Sequence, residues 1–196
     1  MVGCLILAGG RSRRFGRDKR RLRLWGATGP TLLEHTVALA APLCAETIVV
    51  LNDPEAWPDL TARCVPDAYP DAGPLGGLVS GFQALQADTA LVLAADLPLL
   101  QPALLAALIA TPLSSDVRCL VRPPTGPEPL LAVYQHQCLG IGEALLERGE
   151  RRMSAFLATL TREERGPDWW KRYDPEGRSF TNINRPDDLA DMGGIP

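Results

Sequence analysis

Three short apolar runs constrain this chain more than any other feature: VGCLILA at residues 2–8, TIVVL at 47–51 and ALVLAA at 90–95. They are far too short to cross a bilayer. They also lack the polar alternation of a strand with one face in water. A strand buried on both faces fits them. Stretches with helical spacing lie between them. Thr31-Leu-Leu-Glu34 has the form of a capping box, opening a helix to about Ala41. Leu78, Phe82 and Leu85 recur at helical intervals within residues 75–86, and Pro102 suits the first turn of a helix over 102–110. Further strands are expected at 63–65, 117–121 and 129–134, and further helices at 141–147, 153–160 and 187–192. Alternating strands and helices predict the α/β class, a three-layer α/β/α Rossmann-like fold around a mostly parallel sheet. In such sheets ligands bind beyond the carboxyl ends of the strands. No internal repeat or linker interrupts the 196 residues, so one domain is expected. Residues 113–129, rich in Pro, Ser and Gly at their ends, read as a loop or insertion.

Composition excludes several function classes. With 46% apolar and 22% charged residues, the chain reads as globular and soluble. No basic region precedes the first apolar run, so no signal peptide is expected and a cytoplasmic location is. A net charge of -3 argues against nucleic acid as a partner, and no membrane partner is expected. The five cysteines are odd in number and scattered without a Cys-x-x-Cys pair, which argues against a disulfide framework or a zinc site. They read as small core residues. His35 and His136 both fall in candidate helices and make no metal cluster.

Against that acidic balance, the loop after the first apolar run is basic. LAGGRSRRFGRDK, residues 7–19, joins adjacent glycines to four arginines, a third glycine and an Asp-Lys pair. Five residues separate Gly10 from Gly16, so this is not a Walker loop. The adjacency of Gly9 and Gly10 rules out the dinucleotide fingerprint. The ingredients of a polyphosphate cradle remain: glycines that let backbone amides approach an anion, and Arg14 and Lys19 to supply charge. The alternative is a solvated surface loop.

Three more segments carry candidate chemistry. DAYPDAGPLGG, residues 67–77, ends at a helix start near Gly76 whose amides suit an anion, or is a plain turn. Asp96 ends the third apolar run as a lone carboxylate. Burial there calls for a cation, and magnesium carrying a polyphosphate is an economical one, with a turn or cap role as the alternative. In SFTNINRPDDL, residues 179–189, Asn182 and Asn184 share a side if the chain is extended.

Together these segments resemble the molybdenum cofactor guanylyltransferase family, within the nucleotidyltransferases of glycosyltransferase-A (GT-A) type. LAGGRSRRFGRDK, DAYPDAGPLGGL, LAADLPLL, EPLLAVY, LERGERRMSAF and FTNINRPDDL occur in family order across nearly the whole chain. Phe15 stands where the family usually has Met, and Ala94-Ala95 replace a more Cys-rich approach to Asp96. The resemblance implies a Mg2+-dependent enzyme that transfers GMP from GTP to metal-loaded molybdopterin and releases pyrophosphate. It implies that Leu7, Ala8, Gly9 and Gly10 meet the nucleotide through backbone, and that Arg14 and Lys19 face phosphates. It further implies that Asn52 and Asp67 hold the nucleoside, Asp96 ligates Mg2+, and Asn182 and Asn184 lie at the pterin. Lys19, Asp96 and Arg14 would form the catalytic set. Apo-molybdoenzymes are the implied protein partners. Two other readings stand: a sister enzyme using CTP or another phosphorylated acceptor, and a nucleotide-binding carrier without catalysis. RGERR at 148–152 reads as a contact for the molybdopterin phosphate or a protein, or as a solvated helix junction. Trp169 and Trp170 read as packing residues rather than a stacking platform.

Overall fold

The computed structural model describes residues 1–9 and 18–183. In chain order the elements are β1 (Val2–Leu7), α1 (Leu32–Ala40), β2 (Thr47–Leu51), β3 (Arg63–Pro66), α2 (Gly73–Ala84), β4 (Thr89–Ala94) and α3 (Pro102–Ile109). There follow β5 (Val117–Arg122), β6 (Gly126–Gln135), α4 (Cys138–Glu147), α5 (Met153–Ala158), β7 (Arg162–Arg165) and α6 (Pro167–Trp170). The strands form one seven-stranded sheet in the order β3-β2-β1-β4-β6-β5-β7. Every pairing is parallel except those of β6, which runs antiparallel to both β4 and β5.

The apolar runs become buried strands for the expected reason. Successive side chains of β1 point to opposite faces. Cys4 and Ile6 enter a core shared with Leu33 and Val37 of α1 and Leu104, Leu105 and Leu108 of α3. Leu5 and Leu7 enter the opposite core with Leu75, Leu78, Val79 and Phe82 of α2 and Phe156 of α5. A polar residue deep on either face would have no water to meet, and Thr47, the polar residue of the runs, sits half-buried at the start of β2. The capping box closes from both ends: Glu34 N donates to Thr31 Oγ1 at 3.2 Å, and Thr31 N donates to Glu34 Oε2 at 2.7 Å. Helix α2 lies close against the sheet because Gly81 has no side chain. A Cβ there would stand 3.0 Å from Leu5 Cδ1.

Several boundaries differ from the sequence reading. Within 113–129, read as a loop or insertion around an expected strand at 117–121, that strand is β5, and β6 starts at Gly126 rather than 129, in a hairpin whose register shifts between Cys119 and Leu120. At that shift β6 runs past the end of β4, and Pro129, without an N–H to pair, sits in the irregular part. Helix α2 begins at Gly73 rather than near Gly76, after left-handed φ values of 67° at Asp71 and 66° at Gly73. His136 lies in the turn after β6, not in a helix, with its Nε2 3.0 Å from Phe82 O. Strand β7 and helix α6 were not foreseen. The helix expected at 187–192 lies outside the described residues.

Cys4, Cys119 and Cys138 are buried in the core as expected, while Cys44 and Cys64 are half-buried at its edge. Burial, together with the nearby Glu164, pushes the Cys119 thiol up to about 11; burial and Asp116 push Cys138 up to about 12. No described helix is long and apolar enough to cross a membrane.

Candidate active site

The chain crosses from β1 to β2 and β3 on one side, then returns to place β4 on the other side of β1. That reversal opens a crevice beyond the carboxyl ends of β1 and β4. A cleft of about 900 Å³ occupies it, near the top of the roughly 300–1,000 Å³ range of small-molecule sites. Leu7, Ala8 and Gly9 form its floor. Ala8 N donates to Val50 O at 3.0 Å and Ala95 N to Leu7 O at 3.1 Å, so the floor is a continuation of the sheet. Asn52 and Asp67 follow β2 and β3 and reach the same point. A Cβ on Gly9 would lie 3.7 Å from Asn52 Oδ1 and 3.9 Å from Asp67 Oδ2.

Asp67 is held by its own loop. Its Oδ1 accepts from Tyr69 N at 2.9 Å and lies 3.0 Å from Ser80 Oγ, which also accepts from Ala68 N. Its Oδ2 has no hydrogen-bond partner among the described residues and faces Gly9. The turn that follows enters α2, whose residues Gly73, Pro74 and Gly77 line the cleft. This puts the amino end of a twelve-residue helix, with its positive dipole end, on the cleft wall.

On the other side stands Asp96, just beyond β4. Its Oδ2 accepts from Lys19 Nζ at 2.7 Å, and both side chains are part-exposed to the cleft. Its carbonyl accepts from Ile183 N at 3.1 Å, which brings the adjacent Asn182 to the cleft wall. The far wall is Glu128, Pro129 and Leu130 of the irregular part of β6, with Phe180. Glu128 is paired to Arg122 at 3.1 Å.

Leu7, Ala8, Gly9, Lys19, Asn52, Asp67, Asp96 and Asn182 thus come together from six separate stretches of chain. Gly10, Arg14 and Asn184 lie outside the described residues. Trp170 packs on Phe180, ring centroids 4.9 Å apart, and donates to Val121 O at 3.1 Å. Trp169 packs on Tyr173, so neither tryptophan lines the cleft. In RGERR, Glu150 accepts from the side chain and backbone of Arg152. Arg151 donates to Asp71 O at 3.2 Å, which ties that junction to the rim.

The sequence reading missed Arg20, which lines the cleft beside Lys19. Asp18 and Asp53 grip its guanidinium from two sides. Burial works against the Arg20 charge, but its hydrogen bonds to the two carboxylates more than offset it and raise its pKa. Burial likewise pushes Asp18 up, and the Arg20 hydrogen bonds outweigh that and lower it. The signal was local in part: Asp18 caps the 3-10 turn Lys19–Arg21. Asp53, 33 residues away, gave none.

Residues 4–164 match the MobA-like NTP transferase domain. The chain belongs to the MobA-like NTP transferase family. A probable molybdenum cofactor guanylyltransferase from Chloroflexus aggregans is 53% identical over 191 residues, covering 96% of this chain and 92% of that one. A molybdenum cofactor guanylyltransferase from Syntrophotalea carbinolica is 31% identical, covering 94% and 87%. Among solved structures, the molybdopterin-guanine dinucleotide biosynthesis protein A of Archaeoglobus fulgidus superposes with a TM-score of 0.80 at 26% identity, covering 97% and 96%. The mostly parallel seven-stranded sheet is shared with that structure.

The donor set fits a hard divalent cation that arrives with a polyphosphate. Among the described residues no three His, Cys, Asp or Glu side chains gather as a metal cage. Asp96 instead stands beyond β4 as one cleft carboxylate, with Asp67 following β3 and Glu128 already paired to Arg122. Mg2+ commonly binds through one or two carboxylates and completes its shell with phosphate oxygens and water.

Proposed function

We propose that this nucleotidyltransferase is a molybdenum cofactor guanylyltransferase, one domain that transfers GMP from GTP to molybdopterin in its metal-loaded form and releases pyrophosphate. The observation that carries the reading is the convergence of Lys19 and Asp96 at 2.7 Å in a cleft that also holds Asn52 and Asp67. The 53% identity to a probable guanylyltransferase supports the base and the acceptor.

The chemistry needs little covalent help. A phosphate oxygen of molybdopterin attacks the α-phosphorus of GTP, and the bond from that phosphorus to the bridging oxygen of the β-phosphate breaks. The attacking monoester is already anionic near neutral pH, so no strong general base is required. Charge is the obstacle, because two anions meet and a third leaves. Lys19 supplies a positive charge to the phosphates, and residues 7–9 present backbone to the guanine. Asn52 and Asp67 hold the nucleoside. Asp96, with the phosphates, would hold Mg2+, which would supply positive charge against the developing negative charge. Asn182, tied to Asp96 through Ile183, faces the acceptor. Positioning and electrostatics supply the rate. Arg14, Gly10 and Asn184 complete the site in this reading. A cytoplasmic location and delivery to apo-molybdoenzymes belong to the same proposal.

The test is pyrophosphate release with Mg2+ and molybdate-loaded molybdopterin, comparing GTP, CTP and ATP at equal concentration. GTP-selective, acceptor-dependent release is expected. Selective use of CTP would move the chain to a sister activity, and no release with any nucleotide would contradict the reading.

A further inference from the structure

Lys19 owes its place to the backbone beneath it, a single 3-10 turn over Lys19–Arg21. One turn of this kind has little stability of its own. Arg20 fastens it. Its Nε and Nη2 donate to Asp18 Oδ1 and Oδ2, each at 2.8 Å. Its Nη1 and Nη2 donate to Asp53 Oδ1 and Oδ2 at 2.6 and 2.8 Å. Nη1 also donates to Ala8 O at 3.4 Å. A guanidinium has five N–H donors, and these five bonds use all of them. Arg20 lines the cleft but has no donor left for a phosphate.

Its acceptors mark where it acts. Ala8 is part of the cleft floor, Asp53 directly follows Asn52, and Asp18 directly precedes Lys19. One planar fork therefore joins three of the chain segments that form the cleft. The neighbouring side chains reinforce the turn. Arg21 donates to Ala56 O at 2.7 Å and lies 4.4 Å from the Trp57 ring centroid. Leu22 packs with Ile183, whose amide holds the Asp96 carbonyl.

We propose that Arg20 is a positioning residue: it sets the Lys19 ammonium group against Asp96 and the nucleotide phosphates without touching either substrate. The proposal rests on the nucleotidyl-transfer reading for its consequence. A lysine at position 20 keeps the charge but lacks the planar fork, so it cannot bridge both carboxylates and the carbonyl. Displacing a reacting group by an ångström can cost about 10²-fold in rate.

The experiment is a double-mutant cycle between Arg20→Lys and Lys19→Met, read in kcat, in KM for each substrate, and in GTP affinity by calorimetry. Arg20→Lys alone is expected to lower kcat by about 10–10²-fold, with KM for the acceptor little changed. In the Lys19→Met background the same substitution should change kcat less than about twofold, because the group it positions is gone. Full multiplication of the two losses, or wild-type kcat in Arg20→Lys, would overturn the proposal. Asp53→Asn weakens one side of the fork and gives a second reading if Arg20→Lys does not fold. If the wild-type chain releases no pyrophosphate with any nucleotide, the functional reading fails, and the same cycle read in GTP affinity still decides the positioning role.

Discussion

Two arginines of this protein, both paired to carboxylates, do different work. Arg20 sits at the cleft, and Arg118 sits on β5 with a side chain only 3% exposed. Both meet a carboxylate, and they differ in what else accepts from them. Arg118 Nη1 donates to Leu108 O and Thr111 O at 2.9 and 3.0 Å, and Nη2 to Pro112 O at 3.0 Å. Its Nε donates to Glu163 of β7 at 2.9 Å. It thereby satisfies carbonyls at the carboxyl end of α3 and fastens the edge strand. Arg20 is gripped by two side-chain carboxylates next to Lys19 and Asn52. The location of the acceptors, rather than burial or charge, separates a fold-holding arginine from a site-holding one.

This contrast can be broken in order of effect. Asp96→Asn should lower turnover on the order of 10²–10³-fold, with the melting temperature near that of the wild type. Wild-type turnover in that variant would remove Asp96 from the chemistry. Arg118→Met should do the reverse. It leaves the Leu108, Thr111 and Pro112 carbonyls without their donor, while Glu163 keeps Arg165 at 3.0 Å, a loss of about 1–3 kcal/mol. At about 2–4 °C per kcal/mol that is a drop of roughly 2–12 °C in melting temperature. Activity per folded molecule should be unchanged, and a lowered kcat would erase the distinction between the two arginines. Thr31→Ala, which opens the capping box on α1, should cost about 1 kcal/mol in denaturant unfolding. A larger loss would mean the threonine does more than cap.

The smallest effect is on acid stability. Burial pushes Glu163 up, but hydrogen bonds from Ser114 and the pairing with Arg118 outweigh it and hold its pKa down to about 2. The folded value is below the unfolded one, so the contribution is present above the ordinary glutamate range near 4.5 and is lost as pH falls from there to about 2. Acid unfolding of Glu163→Gln should therefore be less steep over that window, and an unaltered acid limb would deny the pairing any energetic weight.

The fold was legible wherever burial left a pattern. Beyond the half-buried threonines that open β2 and β4, strands β1, β2 and β4 are apolar because both faces are covered, and the Thr31 box announces α1 in four residues. Strand β7 could not be read this way. Its sequence, REER, is wholly charged because it is an edge strand, and it is held by Glu163 reaching Arg118 and Ser114 rather than by a buried face. The cleft was half legible for a related reason. Asp96 announces itself as a carboxylate ending an apolar strand and Lys19 as part of a basic, Gly-rich loop, whereas Asn52 and Asp67 were reached through the family resemblance. The grip on Arg20 depends on Asp53, a contact across 33 positions that no local spacing encodes. Of five arginines in residues 11–20, the sequence favoured Arg14 for phosphate, and it gave no hint that Arg20 would spend every donor on the protein.

The most direct test of this account is label transfer from α-phosphate-labelled GTP to molybdate-loaded molybdopterin, run in parallel with the wild-type chain and the Asp96→Asn and Lys19→Met variants. The account predicts a labelled dinucleotide product with the wild type and a loss of at least about 10²-fold in both variants, each still folded. Equal labelling by all three proteins would contradict it.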